Sequence, residues 1–305
     1  MSAEDGDPIT IAGVRLSSPN RILFDDLGLT KEALARYYAS VSEWMLPDLK
    51  SRPLSLVRCP KGPGEGCFYQ KNIDKAWSAE IERVTIPTSD GEGIYAIANS
   101  AAAVVGLVQK GVIELHAWGS TTRDLAKPDR MVFDLDPDPT VAWREVTSAA
   151  RTTRDVLQDL GLESFVKTSG GKGLHVMVPL APKHEWDEMK EFSRHVAELL
   201  VADSPGRFTA KMAKKDRTGK IFIDYLRNNP GATTVAAYSV RARKGAPVST
   251  PLHWDEVGGR LKPMSFHAGN VVRRLQGLHS DPWKTFRRTS QTLTATMKRK
   301  LGIVP

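Results

Sequence analysis

The residues whose types and spacing point first to chemistry are Asp134 and Asp136, two apart in Val132-Phe-Asp-Leu-Asp-Pro137, a short apolar run rich in strand formers. Side chains alternate along a strand, so both carboxylates share a face, with Cα atoms roughly 7 Å apart. Phe133 and Leu135 point to the other face and serve as anchors in a core. Pro137 and the following Asp138-Pro139 stop the strand, which leaves the pair at its end beside a loop. Two carboxylates held this close repel unless a cation or a proton intervenes, and the oxygen-seeking partners are Mg²⁺ and Mn²⁺. The plain alternative is an edge strand with two solvated carboxylates. A third acid ends Lys220-Ile-Phe-Ile-Asp224, where Ile221 and Ile223 alternate inward while Asp224 shares a face with Phe222. It could complete a two-metal carboxylate site for phosphoryl transfer; the alternative is a turn-initiating aspartate.

A second constellation is Lys167-Thr-Ser-Gly-Gly-Lys-Gly-Leu-His175. It lacks the G-x-x-x-x-G-K-[ST] pattern of a Walker A loop, because Gly173 follows Lys172. Its glycines still let successive N–H groups converge on an anion. Ser169 adds a hydroxyl, Lys172 a charge, and His175 enters the next strand within reach of the same phosphates. Arg241 and Arg243, two apart in the strand-like Ala237–Arg243, read as a pair on one face whose guanidinium forks suit triphosphate oxygens or a nucleic-acid backbone. Salt bridges to surface carboxylates are the alternative. His116 shares a strand face with Glu114 and Trp118 and by itself reads as a core histidine. Phe68 and Tyr69, beside Lys71, offer a stacking platform for a base, although adjacent strand aromatics more often divide between core and surface.

The elements that must position these groups follow from periodicity. Residues 9–16 read as a short hairpin or a strand. Thr30 caps a helix carrying Leu34, Tyr37, Tyr38, Val41 and Met45 at helical spacing, and Pro47 closes it. Strand 54–58 enters a turn-forming loop between Cys59 and Cys67. Residues 99–109 form a small-residue helix and 112–118 a strand. The core then runs as strand 131–136, helix 142–160 ending at Gly161, strands 164–168 and 174–179 as an antiparallel pair, helix 185–201 and strand 220–226. Helices alternating with short strands mean α/β or α+β packing, without a purely parallel doubly wound sheet. The tail from 263 reads as basic and helical, broken by Pro282-Trp283.

The 305 residues allow one large domain or two small ones, and at 41% hydrophobic the chain can bury a core. No apolar run approaches a membrane span, and the acidic, polar Met1–Pro8 is no signal peptide. Two cysteines are too few for a disulfide framework, and without nearby His they make no zinc site; a reducing cytoplasm is the default. The net charge is +8. Its excess lies in two zones, Arg207–Lys244 and Val271 to the end, which suggests a polyanion such as nucleic acid over a merely solvated basic surface.

Taken together, Asp134-Leu-Asp136, Ser169-Gly-Gly-Lys-Gly-Leu-His175 and Phe222-Ile-Asp224 resemble the three motifs of the archaeo-eukaryotic primase superfamily. The chain is most similar to the polymerase domain of the bacterial ligase D family of non-homologous end joining. Supporting stretches are Asn20-Arg-Ile-Leu-Phe24, Phe68-Tyr-Gln-Lys71, Glu114-Leu-His116, Pro128–Asp134 and Thr234–Arg241. The resemblance implies a single primase-polymerase domain over 1–305. Within it lie an N-terminal α/β lobe to about 125, a catalytic core over about 126–245 and a basic helical segment over about 246–305. Its central sheet would be mostly antiparallel, of RNA-recognition-motif type, flanked by helices.

The implied activity is extension of a primer 3′-hydroxyl with NTPs or dNTPs, with two Mn²⁺ or Mg²⁺ ions held by Asp134, Asp136 and Asp224. Ser169, Lys172, His175, Arg241 and Arg243 would hold the triphosphate. His116 would lie near its sugar or phosphate, and Phe68 would stack on the base. Arg21, where some relatives carry lysine, and Lys31 match positions that bind the 5′-phosphate of a downstream strand; Val57 stands where some relatives carry a nucleotide-contacting lysine. Implied partners are gapped, nicked or broken DNA, Ku and a DNA ligase, in a cytoplasmic, nucleoid-associated setting without a membrane. The chain carries no K-x-D-G ligase motif, and its polar, Met-initiated start fits a stand-alone polymerase slightly better than a domain cut from a longer protein. The rival readings are a metal-dependent nuclease using the same acids and a non-catalytic DNA-end-binding module.

Overall fold

Short runs of strand formers, many of them buried throughout, make the sheets of the computed structural model, which describes residues 7–74, 76–88 and 91–303. The acidic start up to Gly6 lies outside them. Of the two readings of residues 9–16, the hairpin is the one observed, with strands β1 (Ile9–Ile11) and β2 (Val14–Leu16) antiparallel, and β3 (Ile22–Phe24) pairs with β4 (Leu29–Thr30). Helix α1 (Lys31–Leu49) starts where the Thr30 hydroxyl accepts the Ala33 N–H, and it buries Leu34, Tyr37, Tyr38, Val41 and Met45. Pro47 does not close it. Proline there removes one hydrogen bond near the end of the helix, which continues to Leu49 and stops where Ser51 turns the chain at φ +57°.

Strands β5 (Leu54–Arg58), β6 (Phe68–Gln70), β7 (Glu82–Thr88), β8 (Gly91–Ile97) and β9 (Val112–Trp118) build a sheet, with helix α2 (Ala101–Gln109) between β8 and β9 capped by Ser100. The β7–β8 hairpin had no counterpart in the sequence reading. Every residue of β9 is buried. A disulfide joins Cys59 to Cys67 across the neck of the β5–β6 loop. Two cysteines make no framework, but their placement at the ends of a turn-rich loop makes one clip.

The next elements are β10 (Arg130–Pro137), α3 (Trp143–Asp159), β11 (Phe165–Thr168), β12 (Leu174–Pro179), α4 (Trp186–Asp203), β13 (Phe208–Thr209) and β14 (Ile221–Asp224). Helix α3 ends with Gly161 at φ +90°, a conformation open to glycine. Then β15 (Thr233–Val235) pairs with β9, β16 (Pro251–Leu252) with β11, and α5 (Val271–Gly277) and α6 (Ala295–Lys300) complete the chain. The order is β15-β9-β5-β8-β7 in one sheet, with β6 also on β5, and β13-β14-β10-β12-β11-β16 in the other. The second is antiparallel except for β13–β14, so the mixed, mostly antiparallel class read from the sequence is the one observed.

The residues group into two compact units. The first holds the chain up to Trp118 with Thr233–Ser249 and Phe266–Leu278; the second holds Gly119–Ala232, Thr250–Ser265 and the residues from His279 on. In the second, α3 and α4 pack on β10 and its neighbours through Val146, Ala149 and Leu157 and through Met189, Phe192 and Val196. Pro282-Trp283 lies between the two short helices α5 and α6, as expected, and is also an anchor: Trp283 is fully buried, stacks on Phe286 at 4.7 Å and donates its indole N–H to Val166 O. Ala237–Arg243 is not a strand. Tyr238 sits at φ +64°, only Val240 bridges to Val248, and the Arg243 N–H turns back to Arg241 O. Arg241 and Arg243 therefore do not share a strand face. Among the described residues no helix is long and apolar enough to cross a membrane.

Candidate active site

Strand β10 runs between β12 and β14, and its register sets the site. Asp134 lies directly opposite His175 on one side and Asp224 on the other, while Asp136 lies opposite Phe222. Phe133 and Leu135 are fully buried on the other face. The local alternation thus delivers Asp134 and Asp136 together, and sheet pairing brings in Asp224 from ninety residues away. All three aspartates line a cavity of about 300 Å³ in the second unit, with Met212, Arg217 and Arg227 on its wall.

Cations answer these acids. Arg227 Nε is 3.1 Å from Asp224 Oδ2 and 3.7 Å from Asp134 Oδ2. Arg217 places Nη1 3.4 Å from Asp136 Oδ2 and lies over the Phe222 ring at 3.7 Å. Lys172 Nζ is 3.5 Å from Asp136 Oδ1, and His175 Nε2 is 3.4 Å from Asp134 Oδ1. Burial pushes the Asp134 carboxyl up to about 6, with Asp224 and Asp136 adding to the effect against the pull of Arg227 and of Lys167. Burial raises Asp224 as well, against Arg227, the Leu226 N–H and Arg217.

Among the described residues no group of three or more His, Cys, Asp or Glu is gathered as a ready metal cage, since the carboxylates turn toward basic side chains. The donor set nevertheless fits a hard divalent cation. Three carboxylates open on one cavity, and burial, reinforced by the like charges of Asp224 and Asp136, holds Asp134 back from ionising.

The glycine loop is fixed to the same strand. A Cβ on Gly173 would collide with the carbonyl oxygen of Leu135, between the two aspartates, and Gly170 sits at φ +67°. Ser169 is buried; its hydroxyl donates to Gly173 O and accepts from the Gly171 and Gly173 N–H groups. It shapes the loop from inside. Lys172 is exposed and its ammonium also donates to Pro137 O.

Four expected nucleotide contacts belong to the first unit. His116 and Arg241 meet on the buried Glu114: His116 Nε2 at 2.7 Å and Arg241 Nε at 2.9 Å from Oε2, with the Ala242 N–H donating to Oε1 at 2.7 Å. Burial pushes the Glu114 carboxyl up, but these partners outweigh it and hold it at about 2. The partner of Arg241 is thus a buried carboxylate, where the sequence alternative had a surface one. Arg243 is exposed. Phe68 and Tyr69 are both exposed, neither taking a core position; Arg58 lies over Phe68 at 5.4 Å, and the Tyr69 ring meets His116 edge-on at 5.5 Å. Arg21 donates to Pro60 O and Ser18 Oγ. Lys31 is buried and donates to Ser17 O and Gln109 Oε1. Val57 is buried in β5.

The sequence reading missed Arg217, Arg227 and Glu114. The two arginines were visible as basic residues flanking strand 220–226, but a charge count does not aim them inward. Glu114 was visible as an acid in the middle of an apolar strand.

A family model described as the LigD primase-polymerase domain matches residues 30–283. The multifunctional non-homologous end joining protein LigD of Pseudomonas aeruginosa is 41% identical over 95% of this chain and 35% of its own length. The protein of the same name from Mycolicibacterium smegmatis is 35% identical over 80% of this chain and 32% of its own. The chain therefore spans about a third of the length of these curated relatives. Among solved structures, the polymerase domain of Mycobacterium tuberculosis ligase D in complex with DNA superposes with a TM-score of 0.85 at 29% identity, covering 91% of this chain and 99% of that one.

Proposed function

The chain belongs to the LigD primase-polymerase domain family, and on that premise we propose that it is a DNA-directed nucleotidyltransferase. It extends a primer 3′-hydroxyl with NTPs or dNTPs at breaks or gaps, in non-homologous end joining. The observation that carries the reading is the register of β10, with Asp224 and His175 on either side of Asp134 and the glycine loop pressed against Leu135. Asp134, Asp136 and Asp224 would hold two divalent ions, Mn²⁺ or Mg²⁺. When bound, such ions supply Lewis-acid activation of the attacking hydroxyl and charge stabilisation on the departing pyrophosphate.

The remaining work is positioning and charge. Lys172 grips the triphosphate at the mouth of the site, and Ser169, through its bonds to Gly171 and Gly173, holds the loop that carries it. His175 orients Asp134 and reaches the phosphates beside it. Arg217 and Arg227 screen the repulsion among the acids. His116, Arg241 and Arg243 contact the nucleotide's phosphates and sugar, and Phe68 stacks on its base. Arg21 and Lys31 take the 5′-phosphate of the downstream strand, and the basic zones grip the DNA backbone. Ku and a DNA ligase are the proposed protein partners, at the bacterial nucleoid.

The test is primer extension on a gapped DNA with each NTP and dNTP, in Mn²⁺ and in Mg²⁺. Wild type lengthens the labelled primer, and the double variant Asp134→Ala/Asp136→Ala does not. Shortening of the primer would mean a nuclease. An unchanged primer with DNA binding intact in both proteins would mean a binding module.

A further inference from the structure

We propose that Glu114 is a positioning residue for nucleotide binding: it fixes the His116 ring, the Arg241 guanidinium and the turn that follows Arg241 in the orientation in which they meet the incoming nucleotide. The inference deepens the nucleotidyltransferase reading and rests on it.

Glu114 sits in the middle of β9, where every side chain is buried. A charge there is costly unless paired and hydrogen-bonded, and a hydrophobic residue would serve a purely structural strand better. Its oxygens are spent on three donors. Oε2 takes both His116 Nε2 and Arg241 Nε, and Oε1 takes the Ala242 N–H.

Each bond fixes one of the groups around Glu114. The hydrogen bond to His116 requires a proton on Nε2 and so fixes the ring's tautomer and its orientation. The bond to Arg241 Nε fixes the plane of its guanidinium and with it the direction in which its donors point. The bond to Ala242 pins the peptide at the head of a turn in which Arg243 N–H reaches Arg241 O and Ala246 N–H reaches Arg243 O.

The chain around Glu114 is built to the same end. Tyr238, at φ +64°, reverses the chain so that the Ser239 hydroxyl accepts the Leu115 N–H next to Glu114. The Tyr38 hydroxyl accepts the Val240 N–H and donates to Ile113 O. Residues 238–242 are thereby laced to β9 at Ile113, Glu114 and Leu115, and only the Glu114 bonds involve side chains with a proposed nucleotide role.

The experiment compares wild type, Glu114→Gln and Glu114→Asp as full chains. Glutamine keeps the shape but sets an N–H against either the Ala242 N–H or the Arg241 and His116 donors. Expected for Glu114→Gln is a rise in nucleotide KM of about tenfold or more, the scale at which loss of an orienting hydrogen bond is felt in a site, with kcat and DNA affinity little changed. Nitrogen NMR of His116 should show Nε2 protonated in wild type and a shift toward the Nδ1–H form in Glu114→Gln. Glu114→Asp retains the charge and should recover part of the affinity, which guards against a variant that fails to fold. In an Arg241→Lys background the penalty of Glu114→Gln should shrink, because it acts through Arg241. An unchanged KM with unchanged His116 tautomer, or equal losses of nucleotide and DNA binding, overturns the inference. A wild type that neither extends a primer nor binds nucleotide overturns the functional reading itself.

Discussion

Asp134→Asn should make the chain more stable while abolishing its activity. The Asp134 carboxyl titrates at about 6 against 3.8 for an ordinary aspartate, and two units correspond to about 3 kcal/mol. Because its folded value is raised, the contribution to stability is complete below the ordinary value and is lost as pH rises through about 6. At about pH 8 wild type therefore carries nearly the whole penalty, and near pH 5 about half of it. The amide removes the charge but is a poorer partner for Arg227 and His175, so the expected net gain at pH 8 is about 1–2 kcal/mol, a rise of a few degrees in Tm. Thermal unfolding in EDTA at about pH 8 and about pH 5 measures it, with a parallel series in Mn²⁺ that should raise the Tm of wild type more than that of the variant. A variant that melts below wild type at the higher pH, or a gain that does not shrink toward acid, would refute the claim that burial among like charges strains this carboxyl.

Other predictions rest on single contacts. Gly173→Ala should push the glycine loop off β10 through its collision with Leu135 O, costing about 1–3 kcal/mol in urea unfolding and raising nucleotide KM. Replacing Cys59 and Cys67 together by Ser should cost about 2–3 kcal/mol, the loop-closure entropy of so short a loop, read as a lower denaturation midpoint that reductant reproduces in wild type. Lys31→Ala leaves Ser17 O and Gln109 Oε1 without their ammonium donor and should cost about 1–2 kcal/mol of stability. Its binding should weaken more for gaps bearing a 5′-phosphate than for gaps without one, and equal weakening would sink the 5′-phosphate assignment.

The chemistry of the site was legible because it depends on local periods. A two-residue repeat puts Asp134 and Asp136 on one face whatever the strand packs against, and the glycine spacing of Ser169–Gly173 announces a tight loop before any fold is known. Helix α1 was legible from its cap and its buried stripe, and α3 from Gly161. The sequence also held the residue types of three family motifs, whose combination is specific even where each piece is modest.

What needed tertiary structure were the long-range relations. Opposing Asp224 to Asp134 is a matter of strand register, set by how the whole sheet buries its apolar faces, and no local pattern encodes it. The inward aim of Arg217 and Arg227 depends on where acids lie in the folded chain, since the same residues on a solvated face give the same charge count. Pro47 failed as a helix stop because the helix around it is held by packing at Met45 and Leu49. Arg241 and Arg243 failed as a strand pair because Tyr238 adopts a left-handed turn that only its tertiary contacts sustain. Glu114 read as a neighbour of His116 and became, once β9 was surrounded, the carboxylate that both His116 and Arg241 require.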